Sequence, residues 1–261
     1  MAEAYPTLVE SFAFAPVASA VWRERGELLW RELGLQCASK GAMKAYHYRT
    51  IGSPVDAMEM GDPAAPFVFF MVLSGEVCIS NGGSEQKLSY LDTAVRFGPG
   101  EKTFWTFSHT AEILVLEGTH EHADSYGVPG RGEWVMSREN EESYVPGDGP
   151  RAYLSYRDLG TAIPTNRRIH IQLVRAQKPV SGGTGWHSHT MGQIFYILRG
   201  WSELIVEDAA AFRMLPGDAM CIAQGMRHNV PGYSSDYLLL EMCVPADYDT
   251  VEETPPEWLA T

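Results

Sequence analysis

Short hydrophobic runs, separated by clusters of Gly, Pro, Asn and Asp, dominate the chain from about residue 39 onward. Runs of this kind in the first half are Ala45–Arg49, Phe67–Leu73, Glu76–Ser80, Ala94–Phe97 and Ile113–Glu117. Their lengths are those of β-strands, and the clusters between them are rich in turn-forming residues. Evenly spaced short strands without long helices predict an all-β sandwich or small barrel.

The second half of the chain repeats the pattern of the first. When it is slid back by 125 residues, Leu198-Arg199-Gly200 falls on Leu73-Ser74-Gly75, and Gly225 falls on Gly100 without any gap. A repeat of this length is the size of a whole domain rather than of a short repeating motif. It predicts two tandem barrels of the same architecture.

A different pattern precedes the first barrel. Within Ser19–Gly34, the apolar residues Trp22, Leu29 and Leu33 lie at helix-compatible spacing, with charged residues between them. This spacing predicts a short amphipathic helix that packs on the body of the protein.

The predicted organisation has five parts. They are an N-terminal extension with the helix at 1–38, a barrel at 39–119, a linker at 120–164, a second barrel at 165–247 and a tail at 248–261. The linker is too long for a bare loop in a compact protein, so it is expected to carry a short strand or helix. The tail is expected to lie over the surface.

Composition limits the partners. The 261 residues are 45% hydrophobic, which is enough for a sizeable core, and the formal net charge of −13 argues against nucleic acid or an anionic membrane surface as a partner. No apolar stretch approaches the 18 or so residues that cross a bilayer. The four cysteines form no C-x-x-C motif and the first residues lack the pattern of a signal peptide, so reduced thiols in a cytoplasmic protein are expected.

The candidate chemistry is concentrated in residues 185–228. His187 and His189 lie two positions apart, so both imidazoles project to the same side of an extended strand, and Gln193 adds a side-chain oxygen on that side. His228 follows after a Pro-Gly-Asp turn and a second hydrophobic run. Three imidazoles and one oxygen suit one divalent transition metal (Fe, Zn, Mn or Ni) with coordination positions left open.

The combined spacing, H-x-H-x3-(E or Q)-x6-G followed by P-G-D and G-x2-H, resembles the paired motifs of the cupin superfamily. The positions that match are His187, His189, Gln193, Gly200, Gly217, Gly225 and His228. The resemblance covers residues 165–247, and it implies jelly-roll β-barrels. Three positions depart from the family pattern: Gln193 where most members carry Glu, Ala223 where Pro is usual, and Gly232 where Asn is usual.

The first barrel lacks these ligands. At the 125-residue offset, the four positions hold Asp62, Ala64, Val68 and Thr103, none of which is a histidine. Valine cannot bind any metal. We therefore expect a degenerate N-terminal barrel that keeps the architecture, and one metal per chain.

Strand alternation predicts which side chains surround the metal. The residues expected at the substrate pocket are Trp186, Phe195, Ile197, Met220, His170 and Gln172. For the last two, the sequence leaves open whether their face of the strand points toward the metal or toward water. Ordinary barrel core is the alternative interpretation for the apolar ones.

The ligand set also bears on the substrate. Three neutral imidazoles and a neutral amide leave the charge of the metal uncompensated, which favours an anionic, chelating small molecule. Glu241, in the last strand, and Glu203 are the carboxylates available as a catalytic base. A carboxylate at either position is more often a surface or edge residue than a base.

Three functions fit this pattern. The first is a dioxygenase that acts on an aromatic or enolisable diketone substrate. The second is a non-redox lyase or isomerase in which the metal is a Lewis acid; this chain is similar to small cupins that tautomerise unsaturated uronates in its His-His-Gln-His set. The third is a non-catalytic cupin that binds a small molecule. The sequence ranks the dioxygenase first and leaves open whether two chains form a homodimer.

Overall fold

The computed structural model describes residues 8–81, 84–126, 132, 134–148, 152–178, 183–209 and 211–257. They form two units, each almost entirely β-structure. The N-terminal unit comprises residues 20–141 with 163–166, and the C-terminal unit comprises the described parts of 1–19, 142–162 and 167–261.

The hydrophobic runs form strands as the alternation predicts. In chain order the strands are β1 (Ala13–Ala15), β2 (Arg23–Arg25), β3 (Leu28–Glu32), β4 (Met43–Thr50), β5 (Val55–Glu59), β6 (Phe67–Ser74), β7 (Val77–Asn81), β8 (Ser84–Leu88), β9 (Thr93–Phe97), β10 (Phe104–Phe107), β11 (Glu112–Gly118), β12 (Trp134–Ser137), β13 (Val145–Pro146), β14 (Leu154–Asp158), β15 (His170–Ala176), β16 (His187–His189), β17 (Gly192–Arg199), β18 (Ser202–Val206), β19 (Ala211–Met214), β20 (Ala219–Ile222), β21 (His228–Tyr233), β22 (Leu238–Val244) and β23 (Thr250–Glu252). One short α-helix, α1, spans Leu35–Ala38, and 3-10 turns span Val17–Ser19, His120–Tyr126 and Glu141–Ser143.

Each unit is a sandwich of one large and one small sheet, as in a jelly roll. The N-terminal unit has a seven-stranded sheet, β12-β9-β6-β11-β4-β3-β2, and a four-stranded sheet, β5-β10-β7-β8. The C-terminal unit has a seven-stranded sheet, β1-β20-β17-β22-β15-β14-β13, and a five-stranded sheet, β19-β18-β21-β16-β23. All the strand pairs are antiparallel, and the buried side chains of both sheets form the core of each unit. The all-β, tandem jelly-roll prediction is confirmed.

The structure reproduces the 125-residue repeat. Strands β6 at 67–74 and β7 at 77–81 reappear as β17 at 192–199 and β18 at 202–206, both shifted by 125 residues. The order of the large sheets agrees as well, since β12-β9-β6-β11-β4 has its counterpart in β1-β20-β17-β22-β15. The repeat is therefore one of topology as well as of sequence pattern.

The interior of the N-terminal unit is filled with aromatic side chains. Trp105 is fully buried, with its ring centroid 4.1 Å from that of Phe70 and 6.0 Å from that of Trp134. Val68 belongs to the same core, and the Thr103 hydroxyl accepts a hydrogen bond of 3.0 Å from Trp134 Nε1. Two of the four positions that correspond to the candidate ligands are thus part of the packing.

The predicted helix at 19–34 is wrong. That segment forms the hairpin β2–β3, in which Arg25 and Leu28 face each other across a two-residue turn. The turn begins at Gly26, whose φ of 60° suits the first position of such a turn. Leu29 and Leu33 are four residues apart, a spacing that fits one face of a helix and also one side of a strand. The pairing of β3 with β4 decides in favour of the strand. The only α-helix of the described residues is α1.

The segments predicted as extension, linker and tail are parts of the sheets. Strand β1 pairs with β20 of the C-terminal unit, while β12 pairs with β9 of the N-terminal unit. The predicted linker further supplies β13 and β14, and the predicted tail supplies β23. Exposed strand edges have unpaired backbone groups, which these short segments satisfy. Residues 258–261 of the tail lie outside the described residues.

Two further expectations concern the environment of the protein. Within the described ranges, the structure contains no helix with the length and apolar character needed to cross a bilayer. All four cysteines are free thiols; Cys221 and Cys243 are buried, whereas Cys37 is exposed and Cys78 is partly exposed.

The aromatic core of the N-terminal unit predicts a large loss of stability on truncation. Replacing Trp105 with Ala should lower the free energy of unfolding by about 3–5 kcal/mol, because it leaves a cavity at the centre of the aromatic cluster. Neighbouring Phe104 is 44% exposed, so Phe104→Ala is a matched control that should cost less than about 1 kcal/mol. Urea unfolding of both variants measures the difference, and equal losses would contradict the packing described.

Candidate metal centre

Three buried histidines converge in the C-terminal unit. His187 and His189 lie on β16, and His228 begins β21, directly opposite His187 in the antiparallel pair. A two-residue spacing on one strand and a cross-strand pair bring all three side chains to one side of the sheet. One potential ligand atom from each histidine lies within 4.8 Å of the others. Within the described ranges, this is the group of His, Cys, Asp or Glu side chains whose geometry suits a metal ion.

Hydrogen bonds at Nδ1 fix the orientation of each imidazole. His187 Nδ1 lies 2.9 Å from the Gly185 carbonyl oxygen, and His228 Nδ1 lies 3.0 Å from that of Met226. A carbonyl oxygen only accepts, so Nδ1 carries the proton in both rings and Nε2 keeps its lone pair. His189 Nδ1 lies 3.0 Å from the Thr250 hydroxyl. Such outer partners are typical of metal-binding histidines.

Gln193 approaches from the other sheet of the sandwich. It lies on β17, is 4% exposed, and donates a hydrogen bond of 2.9 Å from Nε2 to Glu241 Oε1. Its Oε1 is buried and, within the described residues, has no hydrogen-bond partner. A buried acceptor of this kind needs an explanation, and a metal ion between it and the three imidazoles supplies one. The donor set therefore fits a divalent ion.

Glu241 is the acidic neighbour of Gln193 in the inner wall. It is on β22 and 8% exposed, and its two carboxylate oxygens accept hydrogen bonds from two amides: 2.6 Å from Gln172 Nε2 and 2.9 Å from Gln193 Nε2. The sequence suggested a base at this position, and that suggestion stays a prediction, because each oxygen accepts one hydrogen bond and keeps a further acceptor site. Its carboxyl group also bears on the expected charge around a bound metal, because it lies one hydrogen bond from Gln193, the candidate fourth ligand. Glu203, the other candidate, lines neither cavity described below and lies 3.9 Å from exposed Arg213.

Two neighbouring cavities lie in this unit, and the inner one contains the three histidines. The inner one, of about 60 Å³, is lined by the three histidines, Gln193 and Glu241, and by apolar and aromatic side chains that include Phe195 and Tyr233. The outer one is an open cleft of about 600 Å³. Tyr156 and Glu241 line both. The two cavities therefore lie on either side of these two residues.

The outer cleft carries several ionisable side chains. Its walls include the carboxylates of Asp148, Glu241 and Glu252 and the imidazole of His170. His170 Nε2 lies 3.5 Å from Asp158 Oδ1, and this interaction holds the pKa of Asp158 below its usual range. In the inner cavity, by contrast, burial raises the pKa of Tyr233 to about 12, so its phenol stays protonated and donates to the Lys178 carbonyl oxygen.

The predicted pocket residues divide into four groups. Phe195 lines the inner cavity, and His170 and Gln172 line the outer cleft. Ile197 and Met220 belong to the hydrophobic core of the unit. Trp186 is buried and lines neither cavity within the described residues. Side-chain alternation identifies the inward face, but depth along the barrel decides which inward residues meet the cavity.

Several residues at the site had no signal in the sequence motif. Thr250 and Tyr248 come from the segment predicted as a surface tail; Thr250 bonds His189, and the Tyr248 ring lies edge-on to the same histidine at 5.5 Å. Tyr156, between the two cavities, comes from the segment predicted as a linker. All three lie outside the sequence motif, and the folding of β14 and β23 into the sheets brings their segments to the site.

Comparisons with known proteins show the fold. No family model matches the chain, and no curated protein does. Among solved structures, oxalate decarboxylase from Bacillus subtilis, described with Mn(II) centres, is 14% identical at a TM-score of 0.60, covering 97% of this chain and 83% of that chain. The formate complex of oxalate decarboxylase from Lactobacillus farciminis is 13% identical at 0.61, covering 95% and 89%. Protein Ylba from E. coli, of the family DUF861, is 13% identical at 0.66, covering 94% and 96%. At this level of identity the likeness establishes the cupin fold.

The contact between Thr250 and His189 predicts that β23 supports metal binding. Thr250→Val removes the hydroxyl with little change of shape, so the His189 ring loses the partner that orients it. We expect metal affinity to fall by about tenfold. Titration of the metal-free protein against a competing chelator measures this change.

Val251 provides the matched control. It is the next residue on the same strand, so its side chain points to the opposite face, and it is 46% exposed. Val251→Thr should leave the metal affinity unchanged. Equal affinities for Thr250→Val and the unaltered protein would show that the Thr250 hydroxyl has no part in metal binding.

Proposed function

We propose that this chain is a metal-dependent enzyme in which a Lewis-acidic centre acts on a small, polar, oxygen-bearing substrate, as in a lyase or isomerase. The observation that carries the proposal is the convergence of three buried imidazoles and the buried Gln193 oxygen on one small cavity. A non-catalytic binding protein does not require such a ligand set.

The ion would be held by His187, His189 and His228 through Nε2 and by Gln193 through Oε1. When bound, it supplies polarisation of substrate or water oxygen atoms without a change of its own oxidation state. The Mn(II) centres described for the Bacillus subtilis oxalate decarboxylase make Mn(II) the first ion to test. Three imidazoles also suit Zn, Fe and Ni.

The dimensions of the inner cavity favour this chemistry over the aromatic dioxygenase that the sequence ranked first. At about 60 Å³ it is well below the ~150 Å³ of an apolar cavity that holds benzene. A ring system would have to lie in the outer cleft, whose carboxylates and imidazole favour polar groups. A substrate with two or three oxygen-bearing carbons fits the inner cavity better.

The residues of the chain have separate tasks in this scheme. Phe195 and the neighbouring apolar wall exclude water from the inner cavity and so strengthen electrostatic interactions there. Tyr156 lies where a substrate passes between the two cavities. His170, in the outer cleft, is the imidazole placed to exchange a proton with the outward end of the substrate.

Dioxygenase chemistry is the second candidate, and one observation favours it. The inner wall carries the apolar side chains of Val174, Phe195 and Leu239, which provide the dry surroundings that molecular oxygen prefers. Both candidates use the same four ligands and a small-molecule substrate, so they differ only in the need for oxygen.

Oxygen dependence distinguishes the two candidates. The metal-loaded protein, with its metal identified by elemental analysis, would be incubated with a panel of small hydroxy acids, keto acids, uronates and diketones. Products would be detected by NMR, with and without oxygen. We expect turnover at the same rate in both conditions and no oxygen uptake at an electrode.

Histidine variants provide the controls. His187→Ala together with His189→Ala should abolish both bound metal and turnover, whereas His109→Ala, at an exposed position in the N-terminal unit, should retain both. Stoichiometric oxygen uptake would establish the dioxygenase instead. Metal binding without turnover of any of these substrates would favour a binding protein.

A further inference from the structure

We propose that Glu241 is a positioning residue that holds the amide of Gln193 with its oxygen toward the three histidines, so that Gln193 and Glu241 act together as one ligand unit. The proposal rests on the metal-binding function proposed above. It gives Glu241 a role other than that of a base, and it explains how a neutral amide can serve where a carboxylate is expected.

The hydrogen bonds fix the direction of the amide. An ionised carboxylate accepts hydrogen bonds and cannot donate them, so any amide in contact with it must present its NH2 group. Gln193 does so at 2.9 Å, and its Oε1 therefore faces away from Glu241. The reverse orientation would place two oxygens against each other and leave the buried NH2 group without its acceptor, which is costly in a barrel interior.

Gln172 completes the arrangement from the other side. It lies directly opposite Glu241 in the β15–β22 pair, and its Nε2 donates to the second carboxylate oxygen at 2.6 Å. Gln193 faces Cys243 in the β17–β22 pair, which makes it the diagonal neighbour of Glu241. Three adjacent strands of the same sheet thus hold the three side chains. Gln172 is 6% exposed, Glu241 8% and Gln193 4%.

The arrangement also sets the charge of the site. A carboxylate on the ligand itself and a carboxylate one hydrogen bond behind an amide both place one negative charge near the ion. With Glu241 in the second position, the ligand stays neutral and the ion keeps more of its Lewis acidity toward a substrate. This is the property that the proposed reaction requires.

A reciprocal exchange tests the proposal. In Glu241→Gln, residue 241 becomes an amide with one acceptor oxygen and one NH2 group. Gln172 and Gln193 both need an acceptor there, so the Gln193 amide is no longer held in one direction. We expect metal affinity to fall about 10- to 100-fold. The double variant Gln193→Glu with Glu241→Gln restores the match, because the new amide accepts from Gln172 and donates to the new carboxylate. Metal affinity should return to at least the level of the unaltered protein.

Chelator-competition titration with Mn(II) and Zn(II) measures affinity, and circular dichroism with thermal melting of the metal-free proteins reports folding. Glu203→Gln, the same change at an exposed carboxylate of the same unit, should leave both readouts unchanged. If Glu241→Gln does not fold, recovery of folding and of metal binding in the double variant supports the proposal.

Two results would overturn it: affinity of Glu241→Gln within about twofold of the unaltered protein, or a double variant no better than the single one. Either would leave the proposed function intact, provided that the unaltered protein binds metal. An unaltered protein that binds no divalent ion would overturn both.

Discussion

The site depends on polar groups that are buried and yet held in single orientations by hydrogen bonds. Two backbone carbonyls and one hydroxyl fix the three imidazoles, and one carboxylate fixes the amide of Gln193. Each partner comes from a strand or turn whose place is set by the sheets. The same pairings that stabilise the sandwich therefore bring the three imidazoles together and place Gln193 in the wall of the same cavity. Loss of any one partner would leave a buried polar group able to rotate, at a cost to both stability and metal binding.

The two units show how one architecture accommodates two interiors. In the N-terminal unit, Trp105, Phe70 and Trp134 fill the space between the sheets. The C-terminal unit has instead a small cavity lined by three histidines, a glutamine and a glutamate together with apolar side chains. The first interior is stabilised by apolar burial. The second is built from desolvated polar groups, which are retained at this density only where each has a partner or a ligand.

Most of the strand pattern and the four candidate ligands follow from the sequence, because both depend on local spacing. Alternation places His187 and His189 on one side, and the 125-residue offset places β17 and β18. The hairpin β2–β3 could not be recognised, since its apolar spacing fits a helix equally well and only pairing with β4 decides. Thr250 bonds a histidine 61 positions away in sequence, and no local pattern encodes such a contact. The role of Glu241 is hidden for the same reason: its partners are on two other strands.

The central claim is that His187, His189, His228 and Gln193 bind one divalent ion. A crystal structure of the protein grown with Mn(II) or Zn(II), with anomalous diffraction measured on both sides of the metal absorption edge, tests it most directly. The account predicts one anomalous peak per chain, with the three Nε2 atoms and Gln193 Oε1 at about 2.0–2.2 Å for a zinc-like ion. A peak located elsewhere, or a metal-loaded protein whose Gln193 amide oxygen points away from the ion, would contradict it.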